Sequence, residues 1–164
     1  MFERLRNAFE PGKKVVKIVS PVEGTVTELS MVPDPAFNEE MFGKGVAIKP
    51  SSGRIVSPVN GIVSQMFHTG HAVSLISNDG TEILIHIGLD TVRLKGEHFT
   101  TLAKTGDSVR IGDGLIDFDL AAIAADYDTI TPIVICNSEK YKQFDLKTDI
   151  DVKIGEEIII LRER

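Results

Sequence analysis

Two stretches of this chain, KIVSPVEGTVTEL from Lys17 to Leu29 and RIVSPVNGIVSQM from Arg54 to Met66, align without a gap and share Ile, Val, Ser, Pro, Val, Gly and Val in the same order. An internal repeat confines the chain to folds that use one small unit twice. In each copy a β-branched run meets a proline, which cannot donate to a ladder, and then a glycine that can take turn dihedrals before a second run. The unit therefore reads strand, bend, turn, strand. A fainter echo links VRIGD (Val109 to Asp113) with VKIGE (Val152 to Glu156). Short strand-like runs continue through GVAIKP, TEILIHI, GLIDFD, ITPIVIC and EEIIIL. The expected fold is all-β: an antiparallel sandwich or barrel built from a duplicated motif, with a few short helical turns.

Helix is expected only in pieces. In MFERLRNAFEPGKK, Phe2, Leu5 and Phe9 share a face, Arg4 and Arg6 point elsewhere, and Pro11 and Gly12 end the run. Residues 1–9 read either as a contact with a membrane surface or as a frayed terminal helix. Asp119 caps a second candidate, DLAAIAAD up to Asp126, and a turn or two is expected after Ser138. Residues 1–12 are read as a tail and 13–164 as one domain, since 164 residues suffice for a real core. The single cysteine, Cys136, cannot form an internal bridge; with no leader pattern and no long apolar run, the expected setting is the reducing cytoplasm. A net charge of −6 and the lack of any Lys/Arg run with interleaved aromatics argue against a nucleic-acid partner, and a monomer is expected.

The chemistry-bearing feature is HAVSLISNDGTEILIHIGLD, His71 to Asp90, in which a turn at SNDG (Ser77 to Gly80) separates two strand-like halves. A two-residue tip of Asn78 and Asp79 pairs His71 with His86. A tip of Asp79 and Gly80 makes the two rings diagonal neighbours on one face, because every second residue shares a face. Only a loop longer by one residue would separate them. The same counting sends Ala72, Ser74, Ile76, Ile83, Ile85 and Ile87 to the core. His68, three residues before His71, falls on the opposite face, and His98 in GEHF reads as a surface residue.

Two neutral imidazoles side by side suit two tasks. They can hold zinc, with a carboxylate such as Asp90 as third ligand and water as fourth. Alternatively one is a nucleophile that carries a phosphoryl group on nitrogen while the other donates an N–H to the phosphoryl oxygens. A zinc peptidase on a related duplicated β fold would fit H-x-x-x-D in HIGLD but also needs an H-x-H strand, and none occurs. A lipoyl or biotinyl carrier needs a lysine at the hairpin tip, where this chain has Asn78-Asp79.

The segment TEILIHIGLDTVRLKGEHF, Thr81 to Phe99, resembles the phosphorylation-site signature of the glucose-type enzyme IIA family of the bacterial phosphoenolpyruvate-dependent sugar phosphotransferase system. SPVEGTV, VPD, GKGVAIKP, IVSPVNGIV, TGHAVSLIS, AKTGDSVRIGD and TPIVICN extend the likeness in the family's order over nearly the whole chain. The resemblance implies that His86 is phosphorylated on Nε2, that His71 stabilises the phosphoryl group, and that Thr69 hydrogen-bonds a histidine. Asp90 and Asp34 match acidic positions near the site, and Phe37, Met41 and Phe42 match an apolar rim that meets partners. At least one of Phe37 and Phe42 can equally be core. The implied donor is the phosphohistidine of HPr, and the implied acceptor is a cysteine on a IIB domain of a separately made IIBC sugar permease. No cofactor is required by such a relay, although zinc at His71 and His86 can occur in the family at a partner interface. Regulation through the phosphorylation state is a further implication, but Pro35, Ala36, Phe42 and Leu84 depart from some relatives, so their regulatory partners do not carry over.

Overall fold

The structure, a computed structural model, describes residues 14–164. The reading of residues 1–9 as a helix lies outside them. The described residues form fourteen strands: β1 (Val15–Val19), β2 (Gly24–Glu28), β3 (Lys44–Pro50), β4 (Arg54–Val56), β5 (Gly61–Met66), β6 (Ala72–Ser77), β7 (Glu82–His86), β8 (Phe99–Thr101), β9 (Ser108–Val109), β10 (Gly114–Phe118), β11 (Thr131–Ile135), β12 (Tyr141–Leu146), β13 (Ile150–Val152) and β14 (Glu157–Glu163). Two short helices, α1 (Pro35–Asn38) and α2 (Leu120–Ala124), interrupt them, with single 3₁₀ turns at Leu29–Met31, Thr91–Leu94 and Ser138–Lys140. Asp119 caps α2 by accepting from the Ala122 amide at 3.1 Å, as its position before an apolar run predicts.

All strand pairings are antiparallel, as the sequence pattern predicts. An eight-stranded sheet runs β13-β2-β3-β11-β7-β6-β5-β9, flanked by three-stranded sheets β1-β14-β12 and β4-β10-β8. The repeat is visible in the hydrogen bonds. Ser20 and Ser57, equivalent in the two copies, each donate a hydroxyl proton to the carbonyl two residues on at 2.6 Å. Their amides donate to the carbonyls of Glu156 at 2.7 Å and Asp113 at 2.8 Å, so the VKIGE and VRIGD echoes serve as matching partners of the two copies. The large sheet thus has two similar halves, β13-β2-β3-β11 and β9-β5-β6-β7, that meet where β11 pairs with β7.

Alternation along the strands divides the apolar residues between two faces. One face packs into the main core with Ile18, Val46, Val63, Leu75, Ile85, Ile116 and Ile133, all essentially without solvent exposure. The other carries a smaller cluster of Leu29, Val32, Phe37, Ala47, Leu89, Ile130 and Val134. This second cluster is the bed on which α1 lies.

The central hairpin differs from both registers expected from its turn. Ala72 pairs with His86 and Ile76 with Glu82, and the Ser77 amide donates to the Thr81 carbonyl at 2.9 Å. The loop is therefore Asn78-Asp79-Gly80, with Gly80 at φ +83°, the three-residue form in which the left-handed position falls to glycine. The shift of one residue changes the core face: Val73 and Leu75 pack inward, while Ser74 is half-buried and Ile76 is 42% exposed. Ile83, Ile85 and Ile87 are buried as expected, and Ala72 is buried on the other face.

Candidate functional site

By simple alternation, the observed loop would put the two histidines on opposite faces, yet their ring centroids lie 5.1 Å apart. The counting fails because alternation holds only inside a strand. His86 is the last residue of β7, whereas His71 precedes β6 in a bend that follows Gly70 at φ +71°. There the chain turns, and the His71 ring swings toward the face that His86 occupies. A backbone bond from the Ile87 amide to the His71 carbonyl at 2.7 Å holds the two segments together.

Beyond β7 the backbone makes a second sharp turn. Gly88 has φ +73° and Asp90 φ +60°, and Thr91 donates its hydroxyl to the Ile87 carbonyl at 2.5 Å. The turn points the Gly88 carbonyl back at His86 Nδ1, 2.7 Å away. A carbonyl only accepts, so Nδ1 carries the proton and Nε2 of the neutral ring keeps its lone pair. His71 Nδ1 is engaged in turn by the Thr69 hydroxyl at 2.5 Å. Both rings are thus held through Nδ1, and both leave Nε2 uncommitted.

The environment keeps the pair neutral. Burial lowers the His71 pKa to about 4, with further lowering from the neighbouring His86 and His68. Burial also lowers that of His86, opposed by the bond to the Gly88 carbonyl and by the charges of Asp34 and Asp90. Asp34 has a second task as the cap of α1: its carboxylate accepts from the Ala36 amide at 3.0 Å, and Pro35 supplies a first residue that needs no partner for its nitrogen. The capped helix holds Phe37 against His86 at 5.3 Å between centroids. Phe37 is 3% exposed and belongs to the smaller core cluster, so it is at once core and wall of the site. Phe42, 5.5 Å from Phe37, is 48% exposed, and Met41 is 70% exposed.

Two contributors escape the sequence reading. The Gly88 carbonyl carries no side-chain signal; only the left-handed backbone aims it. Phe67 lies 5.5 Å from His71 in an edge-on contact, and its place before HTGH is the sole hint. His68 is exposed while His71 is buried, and His98 lies apart, its carbonyl accepting from the Asp119 amide. The pair offers two imidazole nitrogens, and among the described residues no group of three or more His, Cys, Asp or Glu is arranged to hold a metal. A three-ligand zinc centre with Asp90 does not fit this geometry. Among the same residues no helix is long and apolar enough to cross a membrane.

Comparison with known proteins places this chain in a family. Residues 16–141 match the model of the phosphoenolpyruvate-dependent sugar phosphotransferase system, EIIA 1. The chain is 42% identical over 161 residues to the glucose-specific EIIA component of Oceanobacillus iheyensis, covering 98% of each. It is 47% identical over 145 residues to the beta-glucoside-specific EIIBCA component of Bacillus subtilis, matching 88% of this chain but 24% of that longer protein. The structure of glucose permease IIA from Mycoplasma capricolum superposes with a TM-score of 0.85 at 36% identity, covering 90% of this chain and 96% of that one. The chain belongs to the EIIA 1 family of the phosphoenolpyruvate-dependent sugar phosphotransferase system, whose work is phosphoryl transfer in sugar uptake.

Proposed function

We propose that the protein is a phosphoryl carrier in which His86 Nε2 accepts the phosphoryl group from phospho-HPr and passes it to a cysteine of a IIB domain. The observation that carries this reading is the bond from His86 Nδ1 to the Gly88 carbonyl, which fixes the tautomer with a nucleophilic Nε2. As the Nε2–P bond forms, the N–P bond of the donor histidine breaks, and in the second transfer the IIB thiolate attacks phosphorus and His86 recovers its lone pair. His71 supplies the complementary group: its Nδ1 is paired with the Thr69 hydroxyl, and on this reading the hydroxyl donates, which leaves the ring proton on Nε2, where it can be directed at the phosphoryl oxygens. Burial keeps His71 neutral across the physiological range, so the tautomer and not a full charge sets its role. The carboxylates of Asp34 and Asp90 favour the positive charge that His86 acquires on phosphorylation.

Phe37 against His86, Phe42 against Phe37 and the exposed Met41 beside it in sequence are read as an apolar rim, with the charges of Asp34 and Asp90 near His86, a surface suited to two successive partners that each present a reactive side chain. That the beta-glucoside-specific relative from Bacillus subtilis is an EIIBCA component supports a IIB domain as the acceptor.

Incubation with phosphoenolpyruvate, enzyme I and HPr should place one acid-labile, base-stable phosphoryl group on the protein without added metal. His86→Ala should abolish labelling, and undiminished labelling of that variant would overturn the assignment. His71→Ala should weaken transfer by about 1.5–3 kcal/mol, the worth of a charge-assisted hydrogen bond.

A further inference from the structure

Four rings touch in succession, Phe37 to His86 to His71 to Phe67, with neighbouring centroids 5.3, 5.1 and 5.5 Å apart. The imidazoles are therefore bracketed by a phenylalanine at each end. Phe37 is fixed by the small core cluster and the Asp34 cap. Phe67 has no such cluster; it is half-buried and begins the tight connection between β5 and β6. That connection is closed by a bond from the Gly70 amide to the Phe67 carbonyl at 2.8 Å, and the Phe67 amide donates to the Ala72 carbonyl at 3.3 Å. A Cβ at Gly70 would lie 2.8 Å from Phe99 Cβ, and its φ of +71° favours glycine, so the turn has little freedom to open.

The same turn thus delivers two groups to one imidazole. Thr69 engages His71 Nδ1, and the Phe67 ring meets the His71 ring at an interplanar angle of 69°. A single hydrogen bond lets a ring rock about its axis, whereas an added aromatic edge-to-face contact restricts that freedom. We infer that Phe67 is a positioning residue: it clamps His71 against the Thr69 hydroxyl and covers it from water, so that the ring stays a neutral Nε2–H donor aimed at His86. Its task is distinct from meeting a partner. The inference rests on the reading of His71 as phosphoryl stabiliser, but it can be tested before any phosphoryl group is present.

The test is a pH titration of the ring nitrogens of His71 by NMR in the unphosphorylated, isotope-labelled full chain. In Phe67→Ala, His71 should titrate well above its wild-type value of about 4, toward an ordinary imidazole, and show mixed tautomers. Phe67→Tyr, which keeps the ring, should restore the wild-type titration. If Phe67→Ala fails to fold, Phe67→Leu is read the same way. At saturating phospho-HPr the Ala or Leu variant should lose roughly 2- to 10-fold in maximal transfer rate, the worth of one aromatic pair. An unchanged His71 titration and tautomer would overturn the inference. So would a raised KM for phospho-HPr with an unchanged maximal rate, which would leave Phe67 a docking residue only. A moved titration with unaltered transfer would support the clamp and instead overturn His71 as stabiliser.

Discussion

At the scale of single residues, the site rests on which nitrogen of each imidazole is occupied. Replacing Thr69 by valine keeps the shape and removes the hydroxyl from His71 Nδ1. That change should lower transfer by about tenfold, one net hydrogen bond, and ring-nitrogen NMR should show His71 losing its tautomer preference. The pKa of His71 also makes a stability prediction. The folded value of about 4 lies below the 6.5 of an ordinary imidazole, so between these values the unfolded chain holds the proton and the folded one does not. The His71 contribution to stability is full above pH 6.5 and is lost as pH falls toward 4, on the order of 1–3 kcal/mol. Urea melts at pH 7.5 and 4.5 should show this loss in wild type, and His71→Gln should shrink it. His86→Ala should shrink the His71 part by the smaller share that the neighbouring imidazole contributes and leave the part due to burial.

Elements decide where those nitrogens go. The turn after β7 can aim the Gly88 carbonyl only from a left-handed backbone, and a Cβ there would lie 2.7 Å from Thr91 Cγ2 and 2.8 Å from the Asp128 carbonyl oxygen. Gly88→Ala should therefore cost about 1–3 kcal/mol in a denaturant melt and release His86 Nδ1, cutting phosphorylation more than folding. Asp34→Ala acts on the other wall. Loss of the cap should destabilise by about 1 kcal/mol and loosen Phe37 from His86, visible as a change in the His86 ring resonances. Sequence signals of this size were readable: Asp119 before its apolar run, Pro and Gly around the bends, the strand character of TEILIHI. The register of the hairpin was not. Asn78, Asp79 and Gly80 permit two- and three-residue loops of similar energy, and the choice falls to packing, since the three-residue loop puts Val73 and Leu75 opposite Ile85 and Ile83 inside the core.

Across the whole molecule, one buried pair ties the outer sheet to the hairpin. Thr81, just before β7, and Tyr141, at the start of β12, join hydroxyls at 2.6 Å, and both residues are buried. Tyr141→Phe should leave the Thr81 hydroxyl without its partner and cost about 1–3 kcal/mol by urea melt, with phosphorylation of the folded fraction unchanged. The repeat gives the wider frame. Its two copies become the two halves of the central sheet, and the histidines fall where the halves meet, with α1 reaching over from the first half. The all-β class, the duplication, the strands and the two histidines are legible along the chain, because they follow from local propensity, repeated spacing and the resemblance of contiguous motifs. That His71 and His86 meet despite their register, that a backbone carbonyl selects the His86 tautomer, and that Phe37 and Phe67 bracket the pair emerge only once the chain is folded. Those outcomes depend on left-handed turns and on contacts between segments far apart in the chain, where the energy comes from packing that no local pattern records.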